Sequence, residues 1–198
     1  MPPGKPARLT VLAGPSGVGK GTVATLIAER HRRVFLSVSA TTRPPRVGEV
    51  DGVNYRFVTE EQFETMVQRG EMLEWATYSG CRYGTPRLAI EQALSDNRPA
   101  LLEIDLDGAR QVRRHMPEAL RIFLAPPSFA ELERRLEERG TESPEARSAR
   151  LTVARLELEA QSEFDAVVIN DLAERAAGEV ASLMGLEWVP TCPSSNER

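Results

Sequence analysis

The sequence predicts an α/β domain in which a parallel β-sheet, covered by helices on both faces, is interrupted by an inserted α+β segment. Three observations lead there. Short aliphatic and β-branched runs alternate with segments whose apolar residues recur at helical spacing. A glycine-rich stretch joins the first such run to the first such helix. Between residues 39 and 85 the alternation gives way to prolines, glycines and a hairpin pattern.

Residues 8–13 (RLTVLA) are a short apolar run bounded by a glycine-rich segment, which predicts a buried strand. Residues 19–30 carry Val23, Leu26 and Ile27 at helical spacing, and residues 34–38 (VFLSV) read as a second strand. The insert opens as a loop broken by Pro44, Pro45, Gly48 and Gly52. Thr59 and Gln62 have capping-box form ahead of a short helix that ends at Gly70. Residues 73–78 and 81–83, joined through Ser79 and Gly80, read as a hairpin. The alternation then resumes with helix 88–94, strand 100–105, helix 106–115 and strand 120–125, which Pro126 and Pro127 close. Ser128 and Glu131 cap a helix over 129–139 that Gly140 ends, and Ser143-Pro144 opens a long helix through Ser162. Residues 166–169 form the last strand and 172–184 the last helix. The Pro/Ser-rich tail, 189–198, is expected to be disordered.

Composition narrows the function. At 198 residues, 41% hydrophobic and 27% charged, the chain has the size and balance of one globular domain. No stretch approaches the ~18 apolar residues of a membrane span, and the N-terminus does not read as a signal peptide. Cys81 and Cys192 are far apart, and two histidines give no zinc-ligand spacing, so a reducing, cytoplasmic setting is expected. A net charge of −4 argues against a general nucleic-acid binder. Of the 25 basic residues only Lys5 and Lys20 are lysines, which singles out Lys20. A local cluster of arginines in an acidic chain points to a small anionic ligand, because the guanidinium fork suits phosphate oxygens.

In sheets of this kind ligands bind beyond the carboxyl ends of the strands. Gly14, Pro15, Ser16, Gly17, Val18, Gly19 and Lys20 follow a predicted strand and open a predicted helix, the setting of a phosphate loop. Glycines let backbone N–H groups converge on an anion, the helix N-terminus adds its dipole, and Lys20 reaches the outer phosphates. The residue after the lysine, usually Ser or Thr to hold Mg²⁺, is Gly21, with Thr22 next. No direct protein–metal bond is therefore expected; Mg²⁺ keeps its waters and Thr22 contacts a phosphate. Ser39, Arg43 and Arg46 follow the second strand on the same edge, where Pro44-Pro45 stiffens either a second phosphate clamp or two solvated arginines.

The segments GPSGVGKGT, SATTRPPRVGEVDGVNY, EWATYSGCRYGT, LEIDLDGA, RLEERGTES and VVIND, in this order and spacing, resemble the guanylate kinase family over nearly all of residues 8–188. The resemblance implies a P-loop NTPase-type core (1–38, 86–127 and 151–188), a GMP-binding subdomain (39–85) and a helical lid (128–150). It implies ATP with Mg²⁺ as donor and GMP, with dGMP, as acceptor. Ser39, Arg43, Arg46, Tyr55 and Tyr83 would hold the GMP phosphate. Glu74 and Thr85 would read guanine with Asp105 nearby, and Asn170 would lie near the ATP base. Lys20, Arg43, Arg135, Arg139 and Arg150 would carry the catalytic positive charge.

The residue types agree with this chemistry. Guanine presents N1–H and its 2-amino group side by side, which one carboxylate, Glu74, can accept together. Asp105 also has the position of an N-cap for helix 106–115. Arg135 and Arg139 share a helix face, whereas Arg134 points toward a salt-bridged surface. Asp107 stands where the family more often has Gln. Two other readings compete: a kinase for another phosphorylated acceptor such as a sugar phosphate, which would have no use for Glu74 with Thr85, and a non-catalytic protein-binding module, which would be expected to lose Lys20 or the arginines. Neither nucleic acid nor membrane is expected as a partner, and a homo-oligomer is left open.

Overall fold

The computed structural model describes residues 6–78, 80–138 and 144–189, the side chains of 144–149 excepted. Arg139, residues 140–143 and the tail from residue 190, with Cys192, lie outside the described residues. In chain order the elements are β1 (Leu9–Ala13), α1 (Lys20–Arg30), β2 (Phe35–Leu36), β3 (Ala40–Thr41), β4 (Arg56–Phe57), α2 (Glu60–Gln68), β5 (Met72–Tyr78), β6 (Cys81–Pro86) and α3 (Arg87–Ser95). They continue with β7 (Ala100–Glu103), α4 (Leu106–His115), β8 (Leu120–Ala125), α5 (Phe129–Glu138), α6 (Pro144–Glu159), β9 (Ala166–Ile169) and α7 (Ala173–Leu183).

Five parallel strands form the main sheet in the order β2-β7-β1-β8-β9. Central β1 is buried at all five positions because helices cover both faces, which is why it reads as a continuous apolar run rather than an alternation. On one face Val23 and Ile27 of α1 pack with Ala176 and Val180 of α7 against Leu12, Ile122 and Leu124. On the other, Ile90 of α3 and Ala109 and Val112 of α4 cover Leu9, Val11 and Leu102. Full burial of a side chain such as Ile27 stabilises the fold by roughly 1.5–3 kcal/mol relative to leaving it in water. No helix among the described residues is long and apolar enough to cross a membrane.

The insert has its own sheet, in the order β4-β3-β6-β5, and a small core of Ala40, Phe63 and Met72. The capping box forms as expected: Thr59 Oγ1 accepts from Gln62 N–H at 3.2 Å and Gln62 Oε1 accepts from Thr59 N–H at 2.9 Å. Three expectations need correction. The second strand keeps only Phe35–Leu36, and the chain read as loop after it supplies β3, which pairs antiparallel with β6. The strand expected over 100–105 stops at Glu103, because Asp105 turns to cap α4. The long helix ends at Glu159, and Ala160–Glu163 tightens into a 3₁₀ turn.

Candidate active site

The phosphate loop runs from the end of β1 into α1. Gly19 sits at φ +97°, and a Cβ there would lie 2.6 Å from Asn170 Nδ2. Only glycine fits both the left-handed backbone and the close approach. Lys20 Nζ donates to Gly14 O at 2.6 Å and to Pro15 O at 3.3 Å, folding its side chain back over the loop. Buried Asn170, at the end of β9, donates from Nδ2 to Val18 O at 2.7 Å. Arg135 on α5 donates to Val18 O at 3.3 Å and Asn170 O at 3.0 Å, while its Nε donates to Glu131 at 2.8 Å. Side chains from α5 and β9 thus hold a loop carbonyl. A cavity of about 370 Å³ opens here between Gly19, Thr22, Arg135 and Asn170.

Position 21 acquires a reason. A Cβ on Gly21 would stand 3.2 Å from Glu103 Oε2, so a hydroxyl residue there would need the β7 carboxylate to give way by a few tenths of an ångström.

Across the cleft, the β5–β6 hairpin sets Glu74 opposite Thr85, just after a register shift between Met72 and Glu74. A bulge of this kind re-aims a side chain. Glu74 is 4% exposed, and Thr85 Oγ1 donates to its Oε1 at 2.6 Å. Burial pushes the Glu74 carboxyl up to about 7, against the Thr85 hydrogen bond, and the charge of Asp105 pushes it further the same way. Asp105 accepts from Gly108 N–H at 2.7 Å, so its capping role holds while it still borders the same cleft.

The arginine clamp is organised by a residue that spacing alone did not reveal. Glu49 accepts from Arg43 Nη2 at 2.9 Å through one oxygen and from Arg46 N–H at 2.7 Å through the other. That bond and the neighbouring charge hold the Glu49 carboxyl below the usual range and the Arg43 guanidinium above its own. An acid three residues after Arg46 in the same Pro/Gly loop was the available signal. The Tyr55 and Tyr83 rings meet edge-on at 6.0 Å, and Arg43 lies 5.4 Å from the Tyr55 ring centroid. Arg46 is exposed at the mouth of this group.

One cleft of about 1050 Å³ joins these parts: Lys20 lies on its loop side, Ser39, Tyr55, Tyr83 and Glu74 on the insert side, and Arg150 on the lid side. Arg150 on α6 lies 5.5 Å from the ring centroid of Tyr78 on the insert hairpin. Glu157, one α-helical stretch further along α6, was also missed by sequence reasoning. It accepts from the Ser16 N–H and faces Lys20, and burial pushes its carboxyl up. Arg134 pairs with Glu131 and Glu138 on the surface, as expected. Asp107 gains an account too: it approaches Arg110 at 3.5 Å, whose guanidinium grips Glu163.

A phosphate loop facing Ser39, Tyr55 and Tyr83 across one cleft, with Arg43 beside Tyr55 and a buried carboxylate in the same cleft, is the arrangement of a phosphotransferase of the nucleoside monophosphate kinase class. The guanylate kinase family model matches residues 6–187. A guanylate kinase from Synechococcus sp. (strain CC9311) is 55% identical over 93% of this chain and 97% of its own length. One from Prochlorococcus marinus (strain MIT 9313) is 58% identical over 90% and 95%. The crystal structure of guanylate kinase from Anaplasma phagocytophilum superimposes with a TM-score of 0.75 at 32% identity, covering 91% of this chain and 85% of that one. The chain belongs to the guanylate kinase family.

Proposed function

We propose that the cleft brings Mg-ATP and GMP together, the phosphate loop holding the donor and the insert the acceptor, for the reaction of the family, ATP + GMP = ADP + GDP. The observation that carries the assignment of roles is Glu74: a 4%-exposed carboxylate, oriented by Thr85, in the same cleft as Lys20. Ionised, it accepts from guanine N1–H and the 2-amino group at once. Adenine offers neither donor on that edge, so AMP would leave a buried carboxylate unpaired, a penalty that can reach ~10⁴ in selectivity. A sugar phosphate gives Glu74 and Thr85 nothing to read. dGMP presents the same base edge and is accepted as well.

Ser39, Arg43, Arg46, Tyr55 and Tyr83 bind the GMP phosphate, with Glu49 holding the two arginines in register. Asn170 and Thr22 border the donor nucleotide. Lys20, Arg43, Arg135 and Arg150, with Arg139 from the undescribed segment, offset the charge of two polyanions brought into line. The acceptor oxygen has a second pKa near ~6 and is already ionised at neutral pH, so no general base is required. Closure of the insert (39–85) and lid (128–150) over the core excludes the water that would otherwise hydrolyse ATP. A cytoplasmic setting completes the proposal.

The residues suit a Mg²⁺ that arrives with the nucleotide. Glu103, lining the cleft beside Gly21, offers a hard carboxylate to metal-bound waters, and Gly21 offers no hydroxyl. When bound, Mg²⁺ supplies Lewis-acid neutralisation of the phosphate oxygens.

The test is ADP formation from Mg-ATP with GMP, dGMP, AMP, UMP, dTMP or no acceptor in parallel. Turnover is expected with GMP and dGMP. A folded protein that binds ATP yet turns over no acceptor would overturn the reading.

A further inference from the structure

β5 is an edge strand of the insert sheet, and its outer edge is not left to solvent. Trp75, the residue after Glu74, has both main-chain groups taken by one side chain of the core. Its N–H donates to Gln111 Oε1 at 3.1 Å, and its carbonyl accepts from Gln111 Nε2 at 2.7 Å. The carboxamide, carrying one donor and one acceptor, pairs with the strand as a neighbouring peptide group would. Leu73, the residue before Glu74, is held likewise: its carbonyl accepts from His115 Nδ1–H at 2.7 Å. Gly108 lets the helix come close as well: an added Cβ there would fall 2.7 Å from Glu74 Oε2. Positions 108, 111 and 115 are three and four apart on α4 and so share one face.

A helix of the core therefore grips the insert strand immediately before and immediately after the carboxylate that faces the cleft. The grip falls just where the register shift between Met72 and Glu74 loosens the β5–β6 ladder. Gln111 does not border the cleft, so any influence on substrate passes through the strand.

We infer that Gln111 is a positioning residue for base selection: its two-bond clamp on Trp75 fixes the depth and angle at which Glu74 meets the guanine edge. The inference rests on the reading of Glu74 given under Proposed function. Two parallel hydrogen bonds to a planar base tolerate displacements of only about half an ångström, so slack in β5 is felt as lost selectivity.

The experiment compares the wild type with Gln111→Met, which keeps length and removes both hydrogen bonds, and Gln111→Asn, a shorter amide that covers the case of poor folding in the first. Glu74→Gln is measured in parallel, and Arg114→Ala, exposed on the same helix, serves as the surface control. The readouts are KM for GMP, KM for ATP, kcat, and the preference for GMP over IMP, which keeps N1–H and lacks the 2-amino group. For Gln111→Met the expected result is about a tenfold rise in KM for GMP, from two neutral hydrogen bonds, and a parallel fall in preference over IMP. KM for ATP is expected to stay unchanged. Unchanged GMP kinetics, or equal rises in both KM values, would overturn the clamp. If Glu74→Gln alters base preference and the Gln111 variants do not, the clamp fails while the reading of Glu74 stands. If neither alters it, that reading fails and takes the clamp with it.

Discussion

At the phosphate loop the chain presents backbone: Gly14 and Gly19 take left-handed conformations, and Lys20, Asn170 and Arg135 all bond to main-chain carbonyls in or beside it. At the far end of the cleft it presents side chains, with Glu74, Thr85 and Asp105 meeting from β5, β6 and the start of α4. The first is a contiguous sequence folded on itself, and it suits phosphate, which every nucleotide shares. The second is assembled from three separate segments, and under the proposed function it meets the one edge on which guanine and adenine differ. On that proposal, general affinity comes from a local backbone shape and selectivity from a long-range convergence.

That contrast can be broken first at Glu74. Glu74→Gln keeps the shape and loses the second acceptor, and the preference for GMP over AMP should fall by as much as ~10⁴, read from the kcat/KM of each. A variant that still prefers GMP would mean that the base is read elsewhere. Lys20→Ala should lower kcat by about 10²–10³ with either acceptor while leaving base preference intact, because the donor site does not read bases. A shift in GMP/AMP preference there would dissolve the distinction.

The buried carboxyl also leaves a stability signature. Its folded pKa of about 7 lies above the ordinary 4.5, so the fold favours the neutral form. The stability this contributes is full below about pH 4.5 and lost as pH rises through about 7. In the ligand-free protein at pH 8, Glu74→Gln should therefore gain about 3 kcal/mol in denaturant unfolding, a gain that vanishes near pH 4. In the wild type, KM for GMP should rise roughly fourfold as pH falls from 8 to 6.5, as the carboxyl takes up a proton, and Glu74→Gln should show only the smaller change that protonation of the GMP phosphate brings. The smallest effect belongs to the loop's support. Asn170→Ala removes the 2.7 Å partner of Val18 O, which keeps its bond from Arg135, and should cost about 0.5–1.5 kcal/mol of stability with a severalfold rise in KM for ATP alone.

The same contrast explains what was legible in the sequence. β1, β8 and β9 announced themselves as apolar runs, the capping box of α2 by its spacing, and the phosphate loop by its glycines, since each is specified within about ten residues. β3 was read as loop because two residues carry no period; it is a strand only through Ala40 and Thr41 meeting Gly84 and Tyr83 on β6. Glu157 and Gln111 were invisible for a related reason, being ordinary polar residues whose partners at Ser16 and Trp75 are brought near by tertiary structure. Glu49, by contrast, lies within six residues of Arg43 and was missed because an irregular loop gives no period to place it. Glu74 stood out only through the motif around it. By itself it reads as a strand carboxylate beside a tryptophan.

Two glycines with unremarkable backbone angles wall in Glu74. A Cβ on Gly84 would lie 2.8 Å from Glu74 O and 2.9 Å from Trp75 Cβ, and one on Gly108 would lie 2.7 Å from Glu74 Oε2. Both are glycine for want of room: a side chain at position 84 would press on the β5 backbone, and one at position 108 on the carboxylate itself. If Glu74 reads the base as proposed, a change of preference has to be accommodated on β6 and α4 as well as on β5. Such a pocket couples the choice of base to three separate segments of the chain.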